Sequence, residues 1–241
     1  MTLPTKQKIH ALIDGTWPAS AKRAVGPWMV RIDGLGGNRV SATTAEGPVS
    51  DADIPAAEEA MKEVGQTPLF MLRDGDEALD QLLEARGYIA RDVTNMYAAP
   101  VDMIATQRPP PVTAFVVWPP LATQVEIWKT GGIGEGRLDV MDRALPPKTT
   151  LLGRVDDTPA ATGFVAMAAD CVMIHALEVA QEHRRKGMAR HLTRAAAFWA
   201  KDQGASYLTL LTTQANTPAN ALYASLGMTL VGQYHYRILQ E

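Results

Sequence analysis

Arg184, Arg185, Lys186 and Arg190 surround the small-residue step Gly187-Met188-Ala189, and the setting of that cluster suits it to an anion. Before it runs the apolar stretch Cys171 to Val179, which reads as a buried strand. After it, a helical pattern puts Leu192, Ala195, Ala196 and Trp199 on one face. A helix entered this way has unpaired N–H groups in its first turn and about half a positive charge from its dipole. Gly187 and Ala189 present no bulk to a phosphate approaching the backbone, and the basic side chains supply countercharge. Residues able to move protons stand near in sequence: His175 and Glu178 on the apolar stretch, and Tyr223 on a later helix.

Written out, Arg184 to Ala189 fits Arg/Gln-x-x-Gly-x-Gly/Ala, which resembles the pyrophosphate-binding motif of the GNAT superfamily of acetyl-CoA-dependent N-acetyltransferases. The run Ala176-Leu177-Glu178-Val179 ends five residues before the loop, as the family's fourth strand does, and a strand at 208–213 follows the helix. Then comes Asn216-x-x-Ala219-x-x-Leu222-Tyr223-x-x-x-Gly227-Met228, which is similar to the family's closing Asn…Ala…Leu-Tyr…Gly-Phe signature. The resemblance covers residues 149 to 238. It implies a mixed α/β (α+β) GNAT fold, with a central twisted mixed sheet flanked by helices. It also implies an acyltransferase that moves acetyl from acetyl-CoA to a primary amine by direct transfer, with coenzyme A as co-substrate and no metal.

On that resemblance the fourth strand parts from the fifth. Leu177 and Val179 lend backbone groups to the pantetheine arm, and the Val179 N–H binds the acetyl oxygen. Arg184, Arg185, Lys186, Gly187, Met188 and Ala189 hold the pyrophosphate. Asn216 and Ala219, at the start of the last helix, contact the cofactor, as does Tyr223. Tyr223 is the candidate general acid for the leaving thiolate: a phenol, with its usual pKa of about 10, is a competent donor. Leucine would fill an apolar slot there equally well, without a hydroxyl that needs a partner.

The base stays open between two residues. His175-Ala176-Leu177-Glu178-Val179 resembles His-Ala-Leu-Ala-Val of the arylalkylamine N-acetyltransferases, where the histidine helps to deprotonate the amine through water. A histidine near pKa 6.5 suits that work. Alternation puts His175 on the strand face of Met173 and Leu177, with Glu178 on the opposite face unless a bulge turns it.

Composition narrows the setting. With 241 residues and 46% hydrophobic content the chain can fill a core, and its net charge of −3 gives no general attraction to nucleic acid or to an anionic membrane. The one cysteine, Cys171, lies inside an apolar run and reads as a small core residue. The first twenty residues lack the basic start and apolar centre of a signal peptide, so a cytoplasmic location is expected. The acceptor is expected to be a small-molecule amine or a protein N-terminus, and a homodimer stays open. The rival reading from another class is a non-catalytic acyl-CoA-binding sensor or interaction protein.

The elements that must position these residues follow in order. A short helix is centred on Ile9, Leu12 and Ile13, and strands at 27–32 and 39–43 form a hairpin around the Gly34–Asn38 turn. Ser50-Asp51-x-Asp53-Ile54-Pro55 opens a helix, 68–72 is a strand, 76–86 a helix stopped by Gly87, and 88–98 a strand. The segment Leu82 to Tyr88 echoes Leu222 to Met228, 140 positions on, so residues 1–105 are expected to be a degenerate, partial copy in tandem with a catalytic domain at 106–241. Residues 99–112, with four of the sixteen prolines, read as the linker. Strand 114–118, helices at 121–130 and 137–143, which the family resemblance implies cap the acceptor pocket, and a three-strand meander at 150–179 complete the approach to the loop.

Overall fold

The computed structural model describes residues 2–239; the outer ends of the two expected domains, Met1 and Gln240-Glu241, lie outside the described residues. The chain opens with α1 (Lys6–Thr16), whose N-cap Thr5 side chain accepts from Lys8 N. Then come β1 (Ala21–Val25), β2 (Trp28–Ile32), the single turn α2 (Asn38–Ser41), β3 (Thr44–Ala45), α3 (Ile54–Glu63), β4 (Leu69–Arg73), α4 (Glu77–Ala85) and β5 (Tyr88–Pro100). Next are α5 (Val101–Ile104), β6 (Ala114–Val117), α6 (Ala122–Thr130), α7 (Glu135–Arg143), β7 (Lys148–Val155), β8 (Thr158–Ala168) and β9 (Cys171–Val179). The last four are α8 (Met188–Asp202), β10 (Tyr207–Thr213), α9 (Thr217–Ser225) and β11 (Thr229–Leu239).

Eight strands form one mixed sheet in the order β4-β11-β5-β10-β9-β8-β7-β6, and β1-β2-β3 make a small second sheet. Within the large sheet only β9 and β10 run parallel among the paired neighbours. The apolar stripe of α8 covers one face: Met188, Leu192, Ala196 and Ala200 are buried against Leu151, Val165, Val172 and Ile174. Ile9, Leu12 and Ile13 of α1 pack on the other face against Met96, Met173, Tyr234 and Tyr236, and α6 and α7 join that side through Trp128, Val140 and Met141 over Phe164 and Ala166. Among the described residues no helix is long and apolar enough to cross a membrane.

The two strand–helix–strand units β4–α4–β5 and β10–α9–β11 are interleaved. β11 pairs with β4, β5 pairs with β10, and β5 and β11 lie side by side between them. Both helices stop at a glycine with positive φ, Gly87 at +87° and Gly227 at +84°, the conformation that costs glycine least. The strand expected to end a first domain is therefore central in the sheet that carries the loop, and its last residue leads directly into α5, whose Val101 and Ile104 are core residues.

Two expectations about the N-terminal segment change. The hairpin is β1–β2, turning at Gly26-Pro27, and the second strand expected at 39–43 is instead the α2 turn followed by β3. Gly37 at φ +92° ends the extended stretch and sends Asn38–Ser41 into a helical turn, with Ser41 Oγ donating to the Gly37 carbonyl.

Candidate functional site

β9 and β10 stay in register from Cys171↔Tyr207 to Ile174↔Leu210 and then part, while β9 continues to Val179 and β10 to Thr213. The far half of β9 keeps only β8 as a neighbour. Ala180 N donates to the Ala160 carbonyl at 2.9 Å, so the opposed pair Ala161/Val179 is the non-hydrogen-bonded kind with respect to β8. The N–H of Val179 accordingly points away from β8, into the gap that β10 has left, and by the same alternation so do the backbone groups of Leu177.

The strand is bulged just before that half. The β8–β9 register shifts between Thr162↔Glu178 and Phe164↔His175, and Ala176 takes φ +49°. The indole Nε1 of the fully buried Trp128 donates to the Ala176 carbonyl at 2.7 Å and holds the bulge. Its effect is to reset the alternation. Leu177 and Val179 pack toward the α8 side, whereas Ala176 joins the Trp128 cluster and Glu178 lies against Gly131 in the α6–α7 loop. The expected sharing of one face by His175 and Leu177 is therefore corrected, and Glu178 is turned to the side of His175.

His175 is buried and fully engaged. Thr16 Oγ1 donates to the Leu12 carbonyl at 2.7 Å, so it accepts from His175 Nε2 at 2.8 Å. Nδ1 is then the acceptor, and Arg39 Nη1 donates to it at 3.1 Å. Trp17 stacks on the ring at 4.9 Å between centroids. Burial, with the Arg39 charge beside it, holds the His175 pKa well below the usual histidine range, so the ring is neutral. Glu178 is reached by solvent on one side and pairs with Arg184 Nη2 at 3.1 Å, while Arg184 Nε donates to the Val179 carbonyl at 3.1 Å. Arg184 is thus folded back on the end of β9, apart from Arg185 and Lys186, which make no ion pair among the described residues.

Arg185 at φ +63° and Gly187 at φ +81° turn the loop so that it enters α8 with no capping side chain and no acid in the first turn. Among the described residues the N–H groups of Gly187, Met188, Ala189 and Arg190 find no backbone or side-chain acceptor. Gly187 is exposed, Met188 is tucked beneath against Gly153, and Arg190 reaches Ser225 Oγ at 2.8 Å. The donor set is that of an oxyanion cradle.

On the far wall of the gap, Asn216 is the N-cap of α9, its side chain accepting from Ala219 N at 3.3 Å. Tyr223 is buried in the α8-side core, 5.8 Å from the Tyr97 ring, and burial pushes its pKa up to about 12. Tyr223, Leu177 and Val179 belong to one apolar cluster, whereas His175 and Glu178 face the opposite side of the sheet.

Residues 118–228 match the acetyltransferase (GNAT) family model, across the strands, loop and helices just described. Those residues form a GNAT-family domain. The chain is 25% identical to the uncharacterized N-acetyltransferase YobR of Bacillus subtilis, over 96% of this chain and 98% of that one. A GCN5-related N-acetyltransferase from Kribbella flavida superposes with a TM-score of 0.73 at 21% identity, covering 97% of this chain and 95% of its own. A tandem GNAT protein from the clavulanic acid biosynthesis pathway superposes at 0.60 with 12% identity, covering 95% and 86%.

The GNAT domain draws on residues that no motif in the sequence marks. Thr16, Trp17 and Arg39 reach His175 from the first forty residues. Asn220 gathers the β10–α9 turn, donating to the carbonyls of Thr213 and Asn216 at 3.0 and 2.8 Å and accepting from Asn95 and Tyr97 of β5. Other residues leave the site. Cys171 is buried, with its thiol pKa pushed up to about 12, so it stays an unreactive thiol at neutral pH. His235 is drawn to Asp80 at 2.9 Å and does not enter the gap. A cavity of about 870 Å³ lies elsewhere, lined by α1, the β3–α3 connection and the β4–α4 turn.

Proposed function

We propose that the GNAT domain transfers acetyl from acetyl-CoA to a primary amine by direct attack, with the whole chain acting as one enzyme. The observation that carries this reading is the coincidence at one end of β9 of a free backbone N–H, a strand gap, and four unpaired amides on a helix start. The residues present fit the cofactor: Gly187, Met188, Ala189 and Arg190 offer amides to its pyrophosphate, and Arg185 and Lys186 offer countercharge. Acetyl-CoA supplies the acyl group as a thioester, whose C–S bond breaks as the amine's C–N bond forms.

The chain's own groups divide the remaining work. Leu177 and Val179 present backbone to the pantetheine arm as an added strand would, and the Val179 N–H polarises the acetyl carbonyl. Asn216 and Ala219 border the amide region of the arm. Tyr223 keeps its proton at neutral pH, because burial disfavours the phenolate, and donates it to the departing sulfur. Glu178 takes the amine's proton through water. We assign the base to Glu178 and not His175, whose two ring nitrogens are already committed to Thr16 and Arg39. Residues 1–105 serve as the degenerate tandem copy, lending β4 and β5 to the sheet and α1 and α2 to the wall of the site, while 106–241 carry the transfer.

Thiol release from acetyl-CoA with a panel of primary amines tests the assignment. Amine-dependent release that Tyr223→Phe suppresses supports it. Tight acetyl-CoA binding without turnover for any amine, and with no effect of Tyr223→Phe, would make the chain an acyl-CoA sensor instead.

A further inference from the structure

Among the described residues Arg39 is a half-buried cation with a buried, unpartnered Nε and no ion pair, on the side of the sheet where the amine would be held. Among the described residues four half-buried arginines have a buried Nε lacking any partner: Arg23, Arg39, Arg143 and Arg194. Arg23 and Arg143 reach the carboxylates of Glu63 and Asp33, and the partly exposed Arg194 donates to Gln107 Oε1. Arg39 donates to His175 Nδ1, a neutral ring, has the hydroxyls of Tyr234 and Tyr236 as further hydrogen-bonding neighbours, and its guanidinium carbon lies 5.9 Å from the Trp17 ring centroid. Burial keeps the Tyr236 hydroxyl protonated. Asp92, the acid on the neighbouring element, is drawn to Asn38 Nδ2 at 3.4 Å and makes no ion pair with Arg39.

A half-buried guanidinium whose hydrogen-bonding neighbours are all neutral leaves its charge uncompensated, and an anion would offset the desolvation of its buried part. Its surroundings place that anion. α2 lies against His175, on the same side of the sheet as Glu178 and the α6–α7 loop. A second arginine approaches from the first turn of α7: Arg137, with a guanidinium 3.5 to 4.0 Å from where a Cβ would stand on Gly37, makes no ion pair among the described residues. The protein thus sets a carboxylate (Glu178) for an amine and, on the same side of the sheet, the Arg39 guanidinium for an acid.

Resting on the acetyltransferase reading above, we infer that the acceptor is an amino acid or another small amino carboxylate, with its amine toward Glu178 and its carboxylate bound by Arg39 with help from Arg137. Planar bidentate recognition of a carboxylate is the work for which arginine is suited, and His175 acts as a positioning residue that fixes the guanidinium by accepting one of its N–H groups.

The test uses the full chain, acetyl-CoA and matched amines: α- and ω-amino acids against their own carboxamides and against the amines lacking the carboxyl group. The inference expects kcat/KM for the acids to exceed that for the matched amides by about 10- to 100-fold, as loss of a charged hydrogen bond implies. It expects Arg39→Gln to collapse that ratio toward one, mainly through KM, and Arg39→Lys to restore part of it. Amides that react as well as acids, or a ratio that Arg39→Gln leaves intact, would overturn it while leaving the acetyltransferase reading standing. If no amine is turned over, calorimetry of the same acids with the protein–coenzyme A complex decides: binding lost in Arg39→Gln supports the inference, and no binding of any acid overturns it. The wild-type comparison of acids with amides needs no variant, so a misfolded Arg39→Gln does not shelter the idea.

Discussion

The Trp128 indole donates its N–H to the Ala176 carbonyl at 2.7 Å and holds the bulge that puts His175 and Glu178 on one side of β9. Trp128→Phe keeps most of the ring but strands a part-buried carbonyl. Stability should fall by about 1–3 kcal/mol, the usual cost of an unsatisfied buried polar group. A chemical denaturation midpoint measures it. Activity should fall too, because a relaxed bulge carries Glu178 away from the side of His175.

Tyr223 lies on the α8 side of the gap beside Tyr97, and burial pushes its pKa up to about 12. Tyr223→Phe is expected to lower kcat by about 10²–10⁴-fold, the range for a positioned general acid. Coenzyme A affinity, read separately by calorimetry, should hold, since the phenyl ring still fills the slot beside Tyr97. Equal losses in kcat and in cofactor affinity would assign Tyr223 to packing alone.

Burial of His175 makes stability depend on pH in one direction. Its folded pKa lies well below the ordinary 6.5, so the unfolded chain binds the proton first as pH falls. The stabilisation is therefore complete above about pH 6.5 and is lost progressively below it. His10, depressed to about 4 by burial with Arg73 and Arg31 nearby, acts in the same sense and window. His175→Gln keeps one donor and one acceptor but cannot titrate, so it should flatten the fall in urea midpoint between pH 6.5 and 4.5 without abolishing it. An unchanged slope would show that His175 is not held neutral in the fold.

Gly187 at φ +81° opens the anion cradle, and its added Cβ would lie 3.8 Å from His191 Nε2, so space is not the obstacle. The obstacle is backbone conformation, worth about 1–2 kcal/mol for a non-glycine residue in the left-handed region. On the proposed function the loop grips only the cofactor's distal end, so Gly187→Ala should weaken coenzyme A binding measurably while leaving kcat at saturation close to wild type.

Much of this site can be read from local patterns and much cannot, for a physical reason. The strand–basic loop–helix passage from Cys171 to Asp202 and the Asn216–Gly227 helix are written in neighbouring residues, and they form where the periodicity puts them. The bulge at Ala176 is not legible, because alanine carries no mark of positive φ and the bond that holds it comes from Trp128, 48 residues away. Arg39 is hidden twice over: its segment reads as a strand until Gly37 breaks it, and its partner His175 lies 136 positions on. The insertion of β5 between β10 and β11 is likewise a matter of pairing at long range, where strand-forming residues alone do not choose a partner.

Amide hydrogen exchange with and without coenzyme A tests the central claim most directly, because it reads the same N–H groups on which the account rests. The account predicts slowed exchange at Gly187 to Arg190 and at Leu177 and Val179 when coenzyme A is present, with the 870 Å³ cavity beside α1 unaffected. Unchanged exchange at those amides under saturating coenzyme A, or protection confined to residues around that cavity, would contradict it.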